Sequence, residues 1–336
     1  MIDRISLSHG SGGGKTRNLV ETIFQKHFSN PILDRMDDSA VININNRQIA
    51  FTTDSFVVKP IFFEGGDIGK LAICGTVNDL AVMGAKPFAL TASFIIEEGF
   101  EIEKLERIIK SMAETALEAE VIIAAGDTKV VDKGSADGIF INTSGIGIIP
   151  EGIIIGGALA KAGDAIILSG SIGNHGASIV TSREDFGFKT FVKSDAAPLN
   201  KLVESMLAAA PEIHVMRDAT RGGIATVLNE IAIQSGVNIE ILEEAIPVKE
   251  DVKGVCDLLG FDPFYLANEG RIVAFVKQED APKLINVMGK HQYGKEASII
   301  GRVVDNTDEP MVILKTVGSG SRILDMLSGE PLPRIC

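Results

Sequence analysis

The chain has 336 residues, 45% of them hydrophobic and 23% charged, and its formal net charge at pH 7 is -13. This length and composition are typical of a soluble globular protein with two domains of ordinary size. The acidic balance argues against nonspecific nucleic-acid binding, because neutralising a phosphate backbone requires a basic surface.

Residues 1–35 are predicted to form a glycine-rich arm followed by a helix that ends near Phe28. The arm carries an early acid and no apolar segment, so no secretory signal is indicated. The glycine-rich segment ends in Gly14-Lys15-Thr16, which resembles the end of a P-loop. It is not part of a P-loop, because His9 stands where that motif requires its first glycine. The loop can still fold over phosphates through its amides, and a merely flexible arm is the open alternative.

No apolar stretch is suited to span a bilayer, since residues 145–160 are interrupted by Pro150 and Glu151. The cysteines Cys74, Cys256 and Cys336 form no CxxC pair, so neither a disulfide framework nor a zinc knuckle is indicated. We therefore expect a cytoplasmic protein.

Residues 36–150 are predicted to form the first α/β domain. Two alternating strands follow the acidic pair Asp37-Asp38 and read as a hairpin that ends near Phe56. A helix capped by Asp67 then runs to about Met83. A strand over 88–96, a helix over 101–119, a buried strand over 121–125 and a closing strand over 138–149 complete this half.

Five aspartates of this domain stand at predicted segment ends or on a helix face, where they can converge on a divalent cation. Mg²⁺ takes carboxylate and phosphate oxygens, so such a cluster suits a site for nucleotide phosphates. For any single aspartate a turn or cap role is the commoner one. The candidates are Asp37, Asp38, Asp54, Asp79 and Asp127, with Lys70 and Lys129 as candidate phosphate contacts.

The second domain is predicted over residues 157–316. A strand over 164–170, a short helix from 173, a mobile polar loop over 183–195 and a helix over 199–210 come first. A motif then runs from Arg217 through Thr220 to Gly222 and Gly223, and leads into a helix that ends near Ile233. Free amides and the dipole at that helix N-terminus suit an anion. Strands and helices alternate again over 237–316.

Glu269 stands just before a predicted strand over 271–276. Two interpretations remain open for it. It is either a turn acid exposed to water or a base that faces the cleft between the domains.

Residues 317–336 are predicted to form a mobile tail. A flexible run over 318–321 and two prolines, Pro331 and Pro333, precede the terminal Cys336. A terminal thiol on a tether can enter a narrow pocket end-on, whereas many chain termini are simply disordered. Inward and outward positions of the tail are both compatible with the sequence.

Several of these segments together resemble the PurM-like (AIR synthetase-like) superfamily of ATP-binding proteins. The opening His9-Gly10-Ser11-Gly12-Gly13 and the ending Pro333-Arg334-Ile335-Cys336 are similar, within it, to the HypE family of nickel–iron hydrogenase maturation proteins. The resemblance covers essentially the full length, and the terminal cysteine is its most specific part. The superfamily motifs are Asp37-Asp38-Ser39-Ala40-Val41, Thr53-Asp54-Ser55, residues 77–87 beginning Val77-Asn78-Asp79, Gly126-Asp127-Thr128 and the segment Arg217–Gly223.

The resemblance implies an α/β (α+β) fold of two PurM-like domains. N-terminal strands would join those of a second subunit in a barrel-like sheet across a homodimer, with ATP and Mg²⁺ near that interface. The C-terminal α/β domain would cover the cleft. The implied metal ligands are Asp37, Asp38, Asp79 and Asp127, and the implied nucleotide contacts are Asp54, Lys70, Asn78, Thr128, Arg217, Thr220, Gly222 and Gly223.

The resemblance also implies a reaction. A HypF-like carbamoyltransferase would load Cys336 with a carbamoyl group, and ATP-dependent dehydration would turn it into a thiocyanate. The cyanide would then pass to iron on a HypC–HypD complex. Proton removal needs a base, and we expect Glu269 in that role, with Lys129 as a charge partner or relay.

Two alternatives stay open from the sequence. One is another ATP-dependent synthetase or small-molecule kinase of the same superfamily. The other is a non-enzymatic thiol carrier that docks to partners by its tail.

Overall fold

The computed structural model describes residues 4–183, 192–327, 329, 332 and 334–336, which form a mixed α/β protein. Most of the loop predicted at 183–195, together with Pro331 and Pro333, lies outside the described residues. The helices are α1 (Gly14–Leu19), α2 (Gln25–Phe28), α3 (Ile68–Val82), α4 (Ile102–Ala119), α5 (Asn174–Thr181), α6 (Asn200–Ala209), α7 (Gly223–Ser235), α8 (Glu250–Leu259) and α9 (Ala281–Met288).

The strands form two large sheets and one two-stranded ribbon. They are β1 (Ala40–Ile44), β2 (Arg47–Phe56), β3 (Phe62–Phe63), β4 (Gly66–Asp67), β5 (Lys86–Glu97), β6 (Ile122–Val131), β7 (Ile139–Ile149), β8 (Asp164–Leu168), β9 (Ile213–Asp218), β10 (Val237–Leu242), β11 (Ile272–Lys277), β12 (Ser298–Asn306), β13 (Val312–Lys315) and β14 (Ser321–Ile323).

The first sheet has the strand order β1-β2-β7-β5-β6. Helix α3 packs on this sheet and α4 packs on α3, so the core between them buries side chains such as Phe56, Leu71 and Ile108. The predicted cap of α3 is confirmed, since the Asp67 carboxylate accepts a hydrogen bond from the Lys70 amide at 3.0 Å. The predicted hairpin of β1 and β2 is confirmed as well.

Strand β6 differs from its prediction. The sequence suggested a buried strand that ends at residue 125, but β6 continues to Val131 and is exposed at every position before it. Ile122 is 63% exposed and Val130 68%. The apolar composition misled because β6 is the edge strand of its sheet and, in the described part of the chain, pairs with β5 alone. A strand of this composition normally has both faces covered.

The second sheet has the order β14-β13-β10-β12-β8-β11-β9. Helices α6 and α9 share one core cluster with it, and α7 belongs to the other. The predicted strands and helices of residues 237–316 are confirmed. Strands β9 and β14 were missed, the first because His214 and Arg217 hide its apolar pattern. Among the described residues, no helix has the length and apolar character needed to cross a bilayer.

Candidate functional site

A cavity of about 290 Å³ opens where the two sheets approach each other. Six carboxyl groups and two guanidinium groups line it, together with the C-terminal cysteine. Its charged members are Asp38, Asp54, Asp79, Asp218, Glu230, Glu269, Arg217 and Arg221, and Cys336 completes the wall.

The six carboxyl groups reach the cavity from six places in the chain, one of which is Glu230 on α7. Asp38 precedes β1, Asp54 lies on β2 and Asp79 on α3, so the first half supplies three of them. Asp218 ends β9, and Glu269 lies in the turn before β11. The cavity therefore draws its acids from both halves of the chain.

The acids in the cavity repel one another. Burial raises the pKa of Asp79 well above its usual range, and Asp218, Asp54 and Asp38 raise it further. Burial likewise raises the pKa of Asp218 to about 6, although Arg217 opposes the rise. The pKa of Asp54 is raised by burial and lowered in part by Arg221. A bound cation would relieve this repulsion.

The fit to Mg²⁺ can be judged from the donor set. Within the described ranges, no three acids, histidines or cysteines lie close enough to form an all-protein metal site. Mg²⁺ usually binds through one or two carboxylates and completes its shell with water and phosphate oxygens. Two buried carboxylate oxygens, Asp38 Oδ2 and Glu269 Oε1, have no hydrogen-bond partner among the described residues. The cavity therefore fits a cation that a phosphate ligand shares.

Arg217 is held in the cavity wall by two acids. Its side chain lies 2.7 Å from Asp38 and 3.2 Å from Glu230, and it is only 12% exposed. Burial raises the pKa of Asp38, and Arg217 counters that rise. The Arg217 Nη1 group has no hydrogen-bond partner in the described part of the chain. It is therefore available to an anionic ligand.

The C-terminus docks beside this cavity through backbone hydrogen bonds to residues 57 and 59. The Val57 amide donates to the Cys336 carbonyl at 3.0 Å, and the Lys59 amide donates to the Arg334 carbonyl at 3.1 Å. In return, Arg334 Nε donates to the Val57 carbonyl at 2.8 Å. The Arg334 guanidinium also pairs with Asp137. Of the two possible tail positions, this structure shows the inward one.

His175 fixes the tail from the opposite side. Its Nε2 lies 2.7 Å from the Ile335 carbonyl and its Nδ1 lies 2.8 Å from the Ser194 hydroxyl. Burial lowers the pKa of His175, so the ring is neutral at neutral pH. A neutral imidazole has one donor and one acceptor. Nε2 therefore donates to the carbonyl, and Nδ1 accepts from the serine.

The docked thiol is protonated. Burial raises the pKa of Cys336 to about 12, with Arg221 opposing the rise and Glu269 and Asp54 adding to it. Since the thiolate is the nucleophilic form, the inward position holds the sulfur but does not activate it. Chemistry that uses the sulfur as a nucleophile is favoured with the tail outside.

We expect Asp137→Ala to expose the thiol more often and to raise the alkylation rate of Cys336 by iodoacetamide about threefold, which matches the loss of one partly exposed ion pair. Peptide mass spectrometry distinguishes Cys336 from the two buried cysteines. Asp132→Ala removes a nearby exposed acid and should leave the rate unchanged. Equal rates for both variants and the unmodified protein would show that the Arg334–Asp137 pair does not hold the tail.

Glu269 occupies the cleft, as the second of its two interpretations supposed. Its residue is 3% exposed, and its backbone amide donates to Asp195 Oδ1 at 3.3 Å. Burial raises the pKa of Glu269 well above its usual range, and Asp218, Asp54 and Asp195 add to the rise while Arg221 opposes it. The carboxyl faces the cavity that contains Cys336.

The glycine pair at the start of α7 permits close packing at the cavity wall. Gly222 and Gly223 have φ values of 80° and 61°. A Cβ on Gly223 would lie 2.4 Å from the Phe264 carbonyl oxygen and 2.7 Å from that of Leu266. Thr220 lines the cavity just before the pair.

We expect Gly223→Ala to lower the free energy of unfolding by about 2 kcal/mol or more, because left-handed backbone costs a non-glycine residue about 1–2 kcal/mol and the new methyl meets backbone atoms. Urea unfolding measures the change. Gly254→Ala is the matched control, since Gly254 lies in helix α8 with nothing within 4 Å of the added Cβ. That variant should be as stable as the parent or slightly more so. A Gly223→Ala protein as stable as the control would contradict the packing argument.

Three predicted contacts of the first half lie elsewhere or have other partners. Asp37 pairs with Arg35 at 2.8 Å and accepts from the Gly157 amide at 2.9 Å. Lys70 lines a different cavity. Asn78 is buried, donating to the Ala197 carbonyl and accepting from the Leu199 amide. It thus joins the two halves of the chain.

The other predicted contacts of the first half lie on β6. Asp127 and Lys129 form an ion pair of 2.8 Å on this strand and are 61% and 67% exposed. Thr128 is exposed between them. These three residues do not line the cavity of their own chain.

Sequence reasoning passed over four residues that the structure brings to the site, one of which is Glu230 on α7. Asp218 and Arg221 belong to the motif over residues 217–223. Their charged side chains in a glycine-rich turn between a strand and a helix were a signal from which their place at the site could have been predicted. His175 gave no such signal, because its contact with the tail joins residues 160 positions apart.

The glycine-rich arm covers the site. Arg221 Nη1 donates to the Gly10 carbonyl at 3.1 Å, and the Gly14 amide donates to the Leu327 carbonyl at 3.0 Å. A Cβ on Gly12 would lie 2.8 Å from the Arg221 Cβ. The arm is therefore packed between the motif of the second half and the start of the tail.

Comparisons with known proteins agree with this arrangement. Residues 36–149 match the N-terminal domain of AIR synthase related proteins, and residues 161–313 match the C-terminal domain. The carbamoyl dehydratase HypE of Azotobacter vinelandii is 48% identical over 332 residues, which are 99% of this chain and 97% of that protein.

Two solved structures are similar over nearly the whole chain. The HypE–HypF complex contains a chain with a TM-score of 0.87 and 51% identity, covering 92% of this chain and 99% of that one. The hydrogenase maturation protein HypE in complex with ATP has a TM-score of 0.83 and 44% identity, with 98% of both chains covered. The chain belongs to the AIR synthase related family and, within it, to the HypE carbamoyl dehydratases.

Proposed function

We propose that the protein is an ATP-dependent dehydratase that converts an S-carbamoyl group on its own Cys336 into a thiocyanate. The observation that carries this proposal is the position of Cys336, docked in the wall of an acid-lined cavity that also contains Glu269. A tail that were only a frayed end would not make backbone hydrogen bonds to residues 57 and 59. The matching relatives carry the same activity in their name.

Dehydration requires the carbonyl oxygen of the carbamoyl group, which is a poor leaving group, to be converted into a good one. The carbonyl oxygen of the carbamoyl group attacks the γ-phosphorus of ATP, and the bond to the departing ADP breaks. The C–O bond then breaks as the nitrogen loses its two protons, and phosphate leaves. Phosphoryl transfer depends mainly on positioning and on charge neutralisation. Arg217 and Arg221 supply positive charge in the cavity.

Glu269 is the group placed to accept a nitrogen proton. Burial raises its pKa, and a carboxylate with a raised proton affinity is a stronger base than an ordinary one. Mg²⁺, when bound by Asp38, Asp54, Asp79 or Asp218 together with phosphate oxygens, would neutralise charge on the transferred group. The sequence led us to expect Asp38 and Asp79 as ligands, and we add Asp218 because it lines the same cavity.

A homodimer accounts for the position of β6. This strand has no neighbour on its outer side among the residues that the structure describes, and it exposes apolar side chains on both faces together with an unpaired backbone edge, which is unusual. The outer face of the same sheet exposes Phe51, Phe88 and Ile148. Pairing of these surfaces in a second subunit would cover them and would bring Asp127, Thr128 and Lys129 toward the partner's cavity.

The partners follow from the state of the thiol. A protonated sulfur docked in the inward position is a poor acceptor for a carbamoyl group, so loading would take place with the tail extended toward a HypF-like carbamoyltransferase. A relative at 51% identity has been crystallised with HypF. The thiocyanate would then meet a HypC–HypD iron complex. We place these steps in the cytoplasm.

The test follows the mass of the C-terminal peptide. After incubation with a HypF-like carbamoyltransferase, carbamoyl phosphate and ATP, the peptide should gain about 43 Da and then lose about 18 Da as dehydration proceeds. Cys336→Ser should show neither change. Omitting Mg²⁺ should stop the sequence after the first step.

The outcomes separate the proposal from its rivals. ATP turnover that survives deletion of residues 334–336 would favour a synthetase or kinase of the same superfamily. Carbamoylation without any ATP-dependent mass loss, in a protein that binds no Mg·ATP, would favour a thiol carrier. No adduct on Cys336 would refute the proposal.

A further inference from the structure

A second cavity, of about 400 Å³, lies on the other side of the wall that carries Glu269. Ser194, Asp195 and Arg271 form part of that wall, and Ser194 also contacts His175, which holds the tail. The cavity does not contain Cys336 or the acids of the first cavity. Nothing in the proposed dehydration uses it.

The lining of this second cavity is cationic although the chain as a whole is strongly acidic. Five cationic side chains and only two acids, Asp195 and Glu296, line it. In the described part of the chain, none of its four lysines forms an ion pair. Unpaired like charges gathered in one concave place repel one another, and an anion would remove that repulsion. The cationic side chains are Lys70, Lys193, Lys249, Lys295 and Arg271.

Arg271 is the fixed element of the group. It is 9% exposed, Nε donates to the Ser171 carbonyl at 2.8 Å and Nη1 donates to the Gly270 carbonyl at 2.7 Å. Among the described residues Nη2 has no hydrogen-bond partner, and the side chain lines the cavity. Gly170 lets the guanidinium pass, since a Cβ there would lie 3.1 Å from Nε. A buried guanidinium with a free donor is suited to a phosphate oxygen.

The acids do not cancel this charge for a ligand. Asp195 has a side chain only 1% exposed and accepts from the amides of Glu269 and Gly270 at 3.3 and 3.2 Å. Its distance from Arg271 Nε is 3.7 Å. The Asp195 carboxylate is therefore occupied by contacts within the cavity wall. Glu296 is exposed to solvent.

We propose that this cavity is a second ligand site, separate from the dehydration site, that binds the diphosphate group of a small molecule. The arrangement of one buried guanidinium and four lysine ammonium groups that form no ion pair among the described residues fits two adjacent phosphates better than a single carboxylate. The ligand is either pyrophosphate-like or the diphosphate of a nucleotide. Because cations outnumber acids five to two in its lining, we expect this site to bind its ligand without a metal ion, whereas the acid-lined cavity would repel the same ligand without one.

That difference in metal dependence defines the experiment. Isothermal titration calorimetry with inorganic pyrophosphate, and separately with ADP, is done in EDTA on the full chain. We expect saturable binding that weakens as NaCl is raised from 50 to 200 mM, since screening reduces the attraction of exposed charges. Tighter binding of ADP than of pyrophosphate would assign the site to a nucleotide, and the reverse order to free diphosphate.

The variant pair isolates the cavity. The double variant Lys249→Gln/Lys295→Gln should raise the dissociation constant for the diphosphate ligand about tenfold, because two charge-assisted contacts are lost. Lys26→Gln/Lys290→Gln removes the same charge from two exposed lysines outside the cavity and should leave it unchanged. All four are exposed, so neither protein is expected to misfold. Absence of binding by both ligands in EDTA, or equal weakening in the two double variants, would overturn the proposal, whatever the fate of the dehydration reaction.

Discussion

Replacing Glu269 by glutamine is expected to slow dehydration of carbamoylated Cys336 by about 10²- to 10⁴-fold, the range of general-base contributions, while leaving carbamoylation intact. Glutamine has nearly the same size but cannot accept the proton. The carboxyl is buried and one of its oxygens has no hydrogen-bond partner among the described residues. Its neighbours Asp54 and Asp218 raise its pKa beyond the effect of burial. The Glu269 carboxylate therefore has a high proton affinity, and its oxygen Oε1 is not engaged, within the described part of the chain, in a hydrogen bond that would compete with proton transfer.

The measurement separates the two steps. Protein that already carries the carbamoyl group on Cys336 is mixed with Mg·ATP, and the mass loss on the C-terminal peptide is followed with time. Glu244→Gln, at an exposed position outside the cavity, is the control and should react at the unmodified rate. Glu269→Gln should unfold no more easily than its parent, because it loses a buried group that repels its neighbours. Dehydration at the unmodified rate in Glu269→Gln would show that another group is the base.

Local features of the site could be predicted because their cause is local. The cap of α3 by Asp67 depends on a hydrogen bond over three residues, and the hairpin of β1 and β2 depends on alternation around a short turn. Both the acidic pair before β1 and the glycine pair before α7 stand at segment ends, where backbone groups are free. Such patterns place single residues correctly in the fold.

The assembly of the site could not be read in the same way. Lys70 and Asp79 lie on one helix, yet nine residues at 1.5 Å each separate them by about 13 Å along its axis. They consequently face different cavities. The contact of His175 with the tail and that of Asn78 with residues 197 and 199 both cross between distant segments. The hydrophobic periodicity of the sequence does not indicate such contacts, because they form only when the two halves of the chain pack together.

The exposed strand β6 shows a further limit, and it leads to a second prediction. Across the first sheet, Asp54 pairs with Thr143, Thr143 with Ala92, and Ala92 with Gly126. Three strand spacings of about 4.8 Å put Gly126 about 14 Å from Asp54 in the same chain. Lys129 lies three residues further along the edge. It can act at a cavity only if that cavity belongs to another subunit.

We therefore expect two inactive variants to restore activity when they share a dimer. Lys129→Ala and Glu269→Gln should each dehydrate poorly as homodimers. A heterodimer of the two has one cavity with an intact Glu269 that receives Lys129 from the partner. Purified through two different tags, it should show about half of the unmodified specific activity, since one of its two sites is complete. The mass loss on the C-terminal peptide is again the readout.

The control is a heterodimer of Lys129→Ala with the double variant Lys129→Ala/Glu269→Gln, which contains no intact Lys129 and should stay inactive. If Lys129 acted within its own chain, both sites of the first heterodimer would lack one group, and no activity would return. If Lys129 had no part in the reaction, its homodimeric variant would already be active. Recovery in the first heterodimer alone would show that the exposed edge of β6 contributes to the site of the neighbouring subunit. Burial against that subunit would then explain why a strand of apolar composition is exposed in the single chain.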